Sequence, residues 1–351
     1  MKVAPNTIIN SEGKILFYSL KDFHDRIVNG TDCFICGAEN TEKIFNLEHV
    51  LPDWLLKRFS LQNKSITLSN QATYKYGKYK VRCCEECNRE LGDLIEIPVS
   101  KLLKLPYQDI CDTLKKDPKN FQLLFHWLML IFFKVYLKDT EFNWYLDTRK
   151  GTEKISDVSN FEQMHHIHCM VRTHYTKAII DTKVMGSILI LPAIEHPTIE
   201  PFDYADHKEG SAIMMRINQF CIVCILNDSC GSSTVFTEYL SKIKGPLTPF
   251  QLKEVFTHLL FINLHLKKRP IYYSAINAKG DYHIKAKIPK IVELIDEKDW
   301  TVSHGELLHH YCKDMIGGEN RDTLLNEIKE GKRRYLFNDK GEFVDYSKEL
   351  K

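Results

Sequence analysis

Three segments in the N-terminal third determine what we expect of this chain: Cys33-Phe34-Ile35-Cys36, Leu47-Glu48-His49-Val50-Leu51-Pro52 and Cys84-Glu85-Glu86-Cys87-Asn88. Two cysteines separated by two residues can hold two corners of a tetrahedral Zn²⁺ site, so the first and third segments together supply four thiolate ligands. The linker between the two cysteine pairs is longer than that of a compact zinc ribbon. A sizeable structure must therefore be looped out between them, and it carries a carboxylate and an imidazole side by side.

The cysteine content supports a metal site more than a disulfide framework. Eleven cysteines in 351 residues are too few for a disulfide scaffold. The segment Met1 to Leu20 lacks the continuous apolar region and small-residue cleavage site of a secretory signal, so we expect a cytoplasmic protein with reduced thiols. Clustered cysteines are then metal ligands first. The predicted ligands of a structural zinc are Cys33, Cys36, Cys84 and Cys87.

The overall composition excludes several classes of protein. With 44% hydrophobic and 27% charged residues, the chain is neither disordered nor a coiled coil nor a collagen-like repeat. Its length predicts about two domains. The net charge of +2 excludes a chain that is basic throughout, so nucleic acid would have to bind to a local basic patch.

A basic segment lies within the looped-out region. Seven lysines and arginines stand against a single acid between Asp53 and Arg82, and tyrosines alternate with the later ones. Basic side chains contact phosphates, and tyrosines stack on bases. The alternative is a solvated strand with its tyrosines packed beneath it. The candidate nucleic-acid-binding residues are Lys75, Lys78, Lys80, Arg82 and Tyr76.

The combination of motifs resembles the HNH endonuclease family, which has a ββα-metal fold. The resemblance rests on CFIC at 33–36, EHVLP at 48–52 and CEECN at 84–88, in that order, and covers roughly residues 31–100. It implies that Glu48 and Asn88 hold a catalytic Mg²⁺ or Mn²⁺ and that His49 is the general base. It also implies that the four cysteines hold a separate structural zinc.

The chemistry of these residue types agrees with that assignment. A histidine with an ordinary pKa near 6.5 can accept a proton from water at neutral pH. A carboxylate and an amide oxygen, as on Glu48 and Asn88, suit Mg²⁺ or Mn²⁺ and leave positions open for water and phosphate. The resemblance therefore implies an enzyme that hydrolyses phosphodiester bonds of DNA, with double-stranded DNA as its substrate.

One departure from the family pattern supports an alternative. Many members carry a middle asparagine before the second cysteine pair that braces the loop between the strands, and Tyr79-Lys80-Val81-Arg82-Cys83 has none. The alternative is a catalytically degenerate, zinc-bearing protein that binds nucleic acid or acts as a scaffold. Glu96 follows Asn88 by about two helical turns, which allows either a supporting role at the site or a structural one.

The remaining chain predicts a larger second domain. We expect an α+β protein in which a zinc-stapled ββα module, residues 1–100, precedes an α+β domain with a mainly antiparallel sheet, residues 101–351. A helix beginning near Asn88 should stop at Pro98. Other predicted helices are Lys21–Val28, Asp53–Phe59, Ser100–Lys116, Asn120–Leu137, Thr248–Leu266 and the chain from Ser303. Predicted strands are Lys14–Leu20, Phe45–Val50, His166–Arg172, Gly186–Pro192, Ile213–Leu226, Ile271–Ile276 and Tyr282–Ile288.

Several further features carry weaker expectations. The apolar stretch Phe121–Leu137 contains His126 and Lys134, so a core or dimer-interface helix is favoured over a membrane span. Cys221 and Cys224 lie in a strand-like run, where residues three apart face opposite sides, and are expected to be core thiols. His166 and His168 would share one face of a strand but lack an evident third metal ligand.

The partners that we expect follow from the resemblance and from the size of the second domain. An HNH site cuts one strand at a time, so double-strand cleavage favours a homodimer. Residues 101–351 are expected to act in sensing, specificity or dimerisation, with a regulatory protein or small-molecule ligand that gates the nuclease. Family habit suggests a bacterial or phage effector of antiviral defence or restriction. No membrane partner is expected.

Overall fold

A computed structural model describes residues 5–68 and 70–348. Its contacts divide the chain into two compact units. Unit 1 comprises Met1–Leu105, Asp112–Thr182 and Tyr272–Lys285, and unit 2 comprises Pro106–Cys111, Lys183–Ile271 and Ala286–Lys351. The functional division at residue 100 stays a prediction, while unit 1 extends well beyond that residue.

Unit 1 contains short antiparallel strand pairs and a set of helices. Its strands are β1 (Ile8–Ile9), β2 (Ile15–Phe17), β3 (Phe45–His49), β4 (Ser65–Thr67), β5 (Thr73–Lys75), β6 (Lys80–Cys84) and β7 (Ile179–Ile180). Its helices are α1 (Leu20–Asp22), α2 (Asp53–Arg58), α3 (Glu85–Leu91), α4 (Ile97–Leu102), α6 (Pro118–Asp139), α7 (Ile155–Val158), α8 (Glu162–Val171) and α9 (Thr173–Thr176). Helix α5 (Tyr107–Lys116) and strands β12 (Ile271–Ile276) and β13 (Tyr282–Lys287) cross the limits between the units. Strands β12, β13 and β7 form a three-stranded sheet in which β13 and β7 are parallel.

The predicted motif residues lie on one strand–strand–helix arrangement. Strand β3 pairs antiparallel with β6, with Glu48 opposite Val81 and His49 opposite Lys80. Strand β6 ends at Cys84, and α3 begins at the next residue. Helix α2 and the β4–β5 pair occupy the connection between the two strands. The strand predicted over Phe45–Val50 and the helix over Asp53–Phe59 are confirmed.

The expected stop at Pro98 is wrong. Helix α3 continues through a π-helical turn, Gly92–Glu96, into α4, and Pro98 lies in the first turn of α4. In the π turn the Ile97 amide donates to the Gly92 carbonyl. This widening lets the helix pass a residue that lacks an amide hydrogen and would clash with a regular helical turn. The helix predicted over Ser100–Lys116 is instead two helices, α4 and α5, which are separated near Pro106.

The strand predicted over His166–Arg172 is also wrong, because this segment belongs to α8. Met164, Ile167, His168 and Val171 are all buried, and their spacing is that of one helical face. The two histidines therefore have different surroundings. His168 Nε2 lies 2.8 Å from the Phe34 carbonyl oxygen, whereas the His166 ring stacks on Tyr272 at 3.8 Å.

Helix α6 is the core helix of unit 1. Its residues from Leu124 to Tyr136 are almost all buried, which supports the core alternative for this stretch. It is also the described helix that is long and apolar enough to cross a membrane by length and composition, and 67% of its most apolar window is buried inside the structure. A buried core helix gives this signal as readily as a membrane span does.

Unit 2 is built on a four-stranded antiparallel sheet. The strands β8 (Ser187–Pro192), β9 (Phe202–His207), β10 (Ala212–Ile217) and β11 (Phe220–Ile225) are ordered β8-β11-β10-β9. Its helices are α10 (Gly231–Lys242), α11 (Pro249–Leu264), α12 (His304–Cys312) and α13 (Arg321–Lys329). The core packs α10 and α11 against the sheet. Cys221 and Cys224 are buried in β11, as expected of core thiols. The predicted α+β class with mainly antiparallel sheets is confirmed.

Candidate metal centre and active site

Four cysteine sulfurs converge at the base of the strand–helix unit. The Sγ atoms of Cys33, Cys36, Cys84 and Cys87 all lie within 4.8 Å of one another, and all four residues are buried. Zn–S bonds of about 2.3 Å in a tetrahedron place sulfurs about 3.8 Å apart. The Cys36 and Cys84 sulfurs are 3.7 Å apart. This group, called the sulfur cluster below, could bind a structural metal such as zinc.

The local backbone explains why the first cysteine pair forms a tight turn. Gly37 has a φ of 76°, in the left-handed region that favours glycine. Its amide donates to the Cys33 carbonyl at 2.8 Å, and the Cys33 amide donates to the Ala38 carbonyl at 2.9 Å. A Cβ atom at position 37 would collide with the Tyr18 hydroxyl. Gly37 therefore permits the tight turn that brings Cys33 and Cys36 together.

Helix α8 holds this turn from outside the motif. His168 bonds to the Phe34 carbonyl, and the Arg172 guanidinium donates to the Ile35 carbonyl at 2.6 Å and to the Ile15 carbonyl at 2.6 Å. Both side chains are almost completely buried. Buried polar groups need such partners, and here they fix the main chain that carries Cys33 and Cys36.

The four thiols of the sulfur cluster influence one another's titration. Hydrogen bonds from neighbouring thiols lower the pKa of Cys33, whereas hydrogen bonding to Cys33 and burial raise the pKa values of Cys84 and Cys87. Thiols must lose their protons to act as metal ligands, so metal binding at this group would be pH-dependent. Cys83 also lies close, with its sulfur 3.9 Å from that of Cys33, but it is not one of the four mutually close sulfurs.

A second group of polar side chains lies beside β3. It consists of Glu48 on β3, Glu96 in the π turn and Lys134 on α6, and we call it the oxygen cluster. Lys134 Nζ donates to Glu48 Oε1 at 2.8 Å and to Glu96 Oε1 at 3.3 Å. The lysine side chain is 0% exposed, and the glutamates are 12% and 15% exposed. Two carboxylates therefore share one ammonium, which leaves a surplus negative charge when both are ionised.

The charges of the oxygen cluster shift one another's titration. Burial raises the pKa of Glu96 to about 7, against the opposing effect of the Lys134 ammonium. Burial also lowers the pKa of Lys134, but the two carboxylates outweigh it and the net change is upward. Lys134 thus remains an ammonium, and Glu96 exchanges a proton near neutral pH.

Asn88, on helix α3, lies against the face of β3 that carries Glu48. Its Nδ2 donates to Asn46 Oδ1 at 2.8 Å, and alternate strand residues such as Asn46 and Glu48 face the same side. Because the Asn88 nitrogen is bonded to Asn46, its carbonyl oxygen is the atom that could coordinate an ion. The structure therefore places Glu48 and Asn88, the predicted ligands of a catalytic ion, on one face of the strand pair.

His49 occupies a different position from these two residues. It is the last residue of β3, and strand alternation directs it away from the face of Glu48 and toward the side of Lys80. Burial and the charge of Lys80 lower the pKa of His49. In the described part of the chain its imidazole forms no hydrogen bond. It is therefore a neutral, half-buried base at neutral pH with nitrogens available to water or substrate.

The predicted nucleic-acid-binding residues follow the second strand and the turn before it. Lys75, Lys78 and Arg82 are exposed, whereas Lys80 and Tyr76 are half-buried. Among the residues that the structure describes, none of the four cations forms an ion pair, so their charges are available to an anionic ligand. Tyr79, by contrast, is buried, and its hydroxyl donates to Asp139 at 2.6 Å.

Four residues outside the quoted motifs bond to the motif residues, and this role was not predicted from the sequence. Lys134, His168, Arg172 and Asn46 form bonds to motif residues or their main chain. Lys134 appeared only as a charge interrupting an apolar stretch, and this was the available signal, because a charge within a core helix must be paired. The other three residues carry no local signature.

No protein-family model, curated protein or solved structure matches this chain.

Proposed function

We propose that this protein is a metal-dependent endonuclease of the HNH type that hydrolyses phosphodiester bonds of DNA. One observation carries the proposal. Glu48 and Asn88 share one face of an antiparallel strand pair that runs directly into a helix, and a sulfur cluster joins the start of that helix to the preceding turn. This arrangement supports a ββα-metal module with a structural zinc.

The donor chemistry fits two different metal ions. Four buried thiols suit Zn²⁺, which prefers sulfur and nitrogen ligands. Glu48 and the carbonyl of Asn88 are oxygen donors, which suit Mg²⁺ or Mn²⁺. The surplus negative charge of the oxygen cluster also favours a cation there. When bound, such an ion would stabilise the charge that develops on the scissile phosphate.

His49 would act as the general base. Its lowered pKa keeps the imidazole neutral at neutral pH, and its nitrogens form no hydrogen bond in the described part of the chain. It can therefore accept the proton of the attacking water. The position of His49 at the very end of β3 leaves it beside the cations Lys80 and Arg82, where a phosphate backbone would bind.

Plasmid nicking tests the proposal most simply. Supercoiled plasmid is incubated with Mg²⁺ or Mn²⁺ and either wild type or His49→Ala. Loss of a general base should reduce nicking by about 10²–10⁴-fold, and EDTA should abolish nicking by the wild type. His310→Ala is the matched control because this histidine is exposed and lies in unit 2. Equal nicking by a folded His49→Ala protein would rule out the assigned role.

The same assay distinguishes the second candidate function. The segment Tyr79-Lys80-Val81-Arg82-Cys83 lacks the family's middle asparagine, which favours a zinc-bearing protein that binds nucleic acid without cutting it. That candidate predicts a mobility shift with plasmid DNA and no EDTA-sensitive nicking with any divalent metal. The same measurements test DNA as the partner. A homodimer, a regulatory protein or small-molecule ligand of residues 101–351, and a role in antiviral defence or restriction remain proposals.

A further inference from the structure

We infer that Lys134 is a positioning residue of the proposed active site: it fixes Glu48 and the main chain of His49, so that the site is completed by helix α6, outside the motif. This inference rests on the proposed function. Lys134 does not touch the predicted site of reaction. It acts through the residue that would hold the metal and through the peptide group of the residue that would act as base.

The Lys134 ammonium contacts two consecutive residues of β3 and one residue of the π turn. Its Nζ has three acceptors, namely Glu48 Oε1 at 2.8 Å, the His49 carbonyl oxygen at 2.8 Å and Glu96 Oε1 at 3.3 Å. An ammonium has three hydrogens to donate, so all of them are used. The two shorter bonds go to consecutive residues of β3, one to a side chain and one to the main chain. Together they restrict both Glu48 and the backbone next to it.

Lys134 lies in a buried, apolar stretch of α6. The neighbouring residues Ile131, Phe132, Phe133 and Val135 are buried and apolar. A lysine at such a position is costly unless it is paired, and an apolar residue of similar length would fill the core without that cost. The sequence nevertheless places a charge there, directed at the strand that carries the EH pair. A role in core packing alone does not require an ammonium.

Helix α6 contacts both strands of the β3–β6 pair. Tyr79 lies immediately before β6, and its hydroxyl contacts α6. It donates to Asp139 Oδ1 at 2.6 Å and lies 2.9 Å from the Val135 carbonyl oxygen. Lys134 holds β3 from the adjacent position on the same helix. The helix therefore spans the ends of the two strands where His49 and Lys80 lie opposite each other.

The test separates positioning from simple charge balance. Lys134→Met alone leaves two buried carboxylates without a cation and can unfold the protein. The double variant Lys134→Met/Glu96→Gln removes one positive and one negative charge, so the net charge of the cluster is unchanged. Glu96→Gln alone is the matched control because it retains the two shorter Lys134 bonds. Each protein is assayed as the full chain for zinc content, for thermal unfolding, for Mn²⁺ affinity without DNA by electron paramagnetic resonance, and for plasmid nicking.

Glu96→Gln is the reference for the double variant, because both proteins lack the same carboxylate and differ only at position 134. Loss of a group that orients a metal ligand typically costs about 10–100-fold in metal affinity or activity. The double variant should therefore bind Mn²⁺ at least fivefold more weakly than Glu96→Gln and nick at least fivefold more slowly, while retaining its zinc and its folded state.

The outcomes are distinguishable from failure of the proposed function. If the wild type neither binds Mn²⁺ nor nicks DNA, the proposed function fails and this inference falls with it. If the wild type does both and the double variant differs from Glu96→Gln by less than fivefold in either measurement, the inference alone is overturned. Loss of zinc or of the folded state in the double variant also overturns it, because Lys134 would then be needed for folding and not for the position of Glu48.

Discussion

The sulfur cluster and the oxygen cluster are joined by the β3–β6 pair, yet they satisfy their buried polar groups in different ways. The sulfur cluster has four buried cysteines and no internal cation, and its sulfurs could bind a structural metal. The oxygen cluster contains its own cation, Lys134, which bonds both carboxylates. We therefore predict that unit 1 depends on a metal in the sulfur cluster to fold, and that the oxygen cluster does not depend on one.

The largest effect is expected from breaking the sulfur cluster. Cys87→Ala removes one of four ligands, and structural zinc contributes about 10–16 kcal/mol in zinc-finger peptides. We therefore expect loss of bound zinc and unfolding of unit 1, measured by zinc content per chain and by the fluorescence of the stacked Trp54 and Trp127. Cys230→Ala, at an exposed thiol, should change neither. Full zinc content and an unchanged unfolding midpoint in Cys87→Ala would show that the cluster is not a metal site.

The next largest effect concerns activity and leaves the fold intact. Glu48→Gln removes the carboxylate that is predicted to hold the catalytic ion, while Lys134 keeps Glu96 as a partner. Loss of several kcal/mol of transition-state stabilisation corresponds to at least about 10²-fold in nicking rate. Zinc content should stay at the wild-type value. Glu85→Gln, an exposed carboxylate next to Cys84, is the control, and equal rates for the two variants would exclude Glu48 as a ligand.

A smaller effect is expected from the exposed cations of strands β5 and β6 and the turn between them. Replacing Lys75, Lys78 and Arg82 by alanine should weaken DNA binding without affecting zinc. Each phosphate contact that is lost lowers the slope of log affinity against log salt by about 0.9. Fluorescence anisotropy at several salt concentrations measures this slope. The control replaces Lys268, Lys290 and Lys340, which are exposed cations of unit 2, and an identical slope in both triple variants would place the DNA elsewhere.

The smallest effect is on the pH dependence of stability. Burial raises the pKa of Glu96 to about 7, above its value in the unfolded chain. The folded state then holds a proton that the unfolded state releases, so the free energy of unfolding should fall as pH rises from about 4.5 to about 7. The expected loss is on the order of 1–3 kcal/mol. Denaturant unfolding of wild type and Glu96→Gln across this range measures it, and parallel curves would contradict the assignment.

The sequence was informative where the determining interactions are local. The cysteine spacing and the helix that starts after Pro52 depend on nearby residues, and the structure has both. Lys134, His168 and Arg172 escaped prediction because their partners lie far away along the chain. The segment expected to be a strand over 166–172 is helical, because a helix buries Ile167 and Val171 on one face. The helix expected to stop at Pro98 continues, because a π turn relieves the clash between the proline ring and the preceding helical turn.

Anomalous X-ray diffraction from crystals soaked in Mn²⁺ distinguishes the two proposed metal sites, because data at the zinc and manganese absorption edges identify each ion separately. We expect zinc bound by Cys33, Cys36, Cys84 and Cys87, and manganese at Glu48 and Asn88. Zinc in the sulfur cluster with no manganese at Glu48, in crystals with saturating Mn²⁺, would contradict the proposed division between a structural and a catalytic metal.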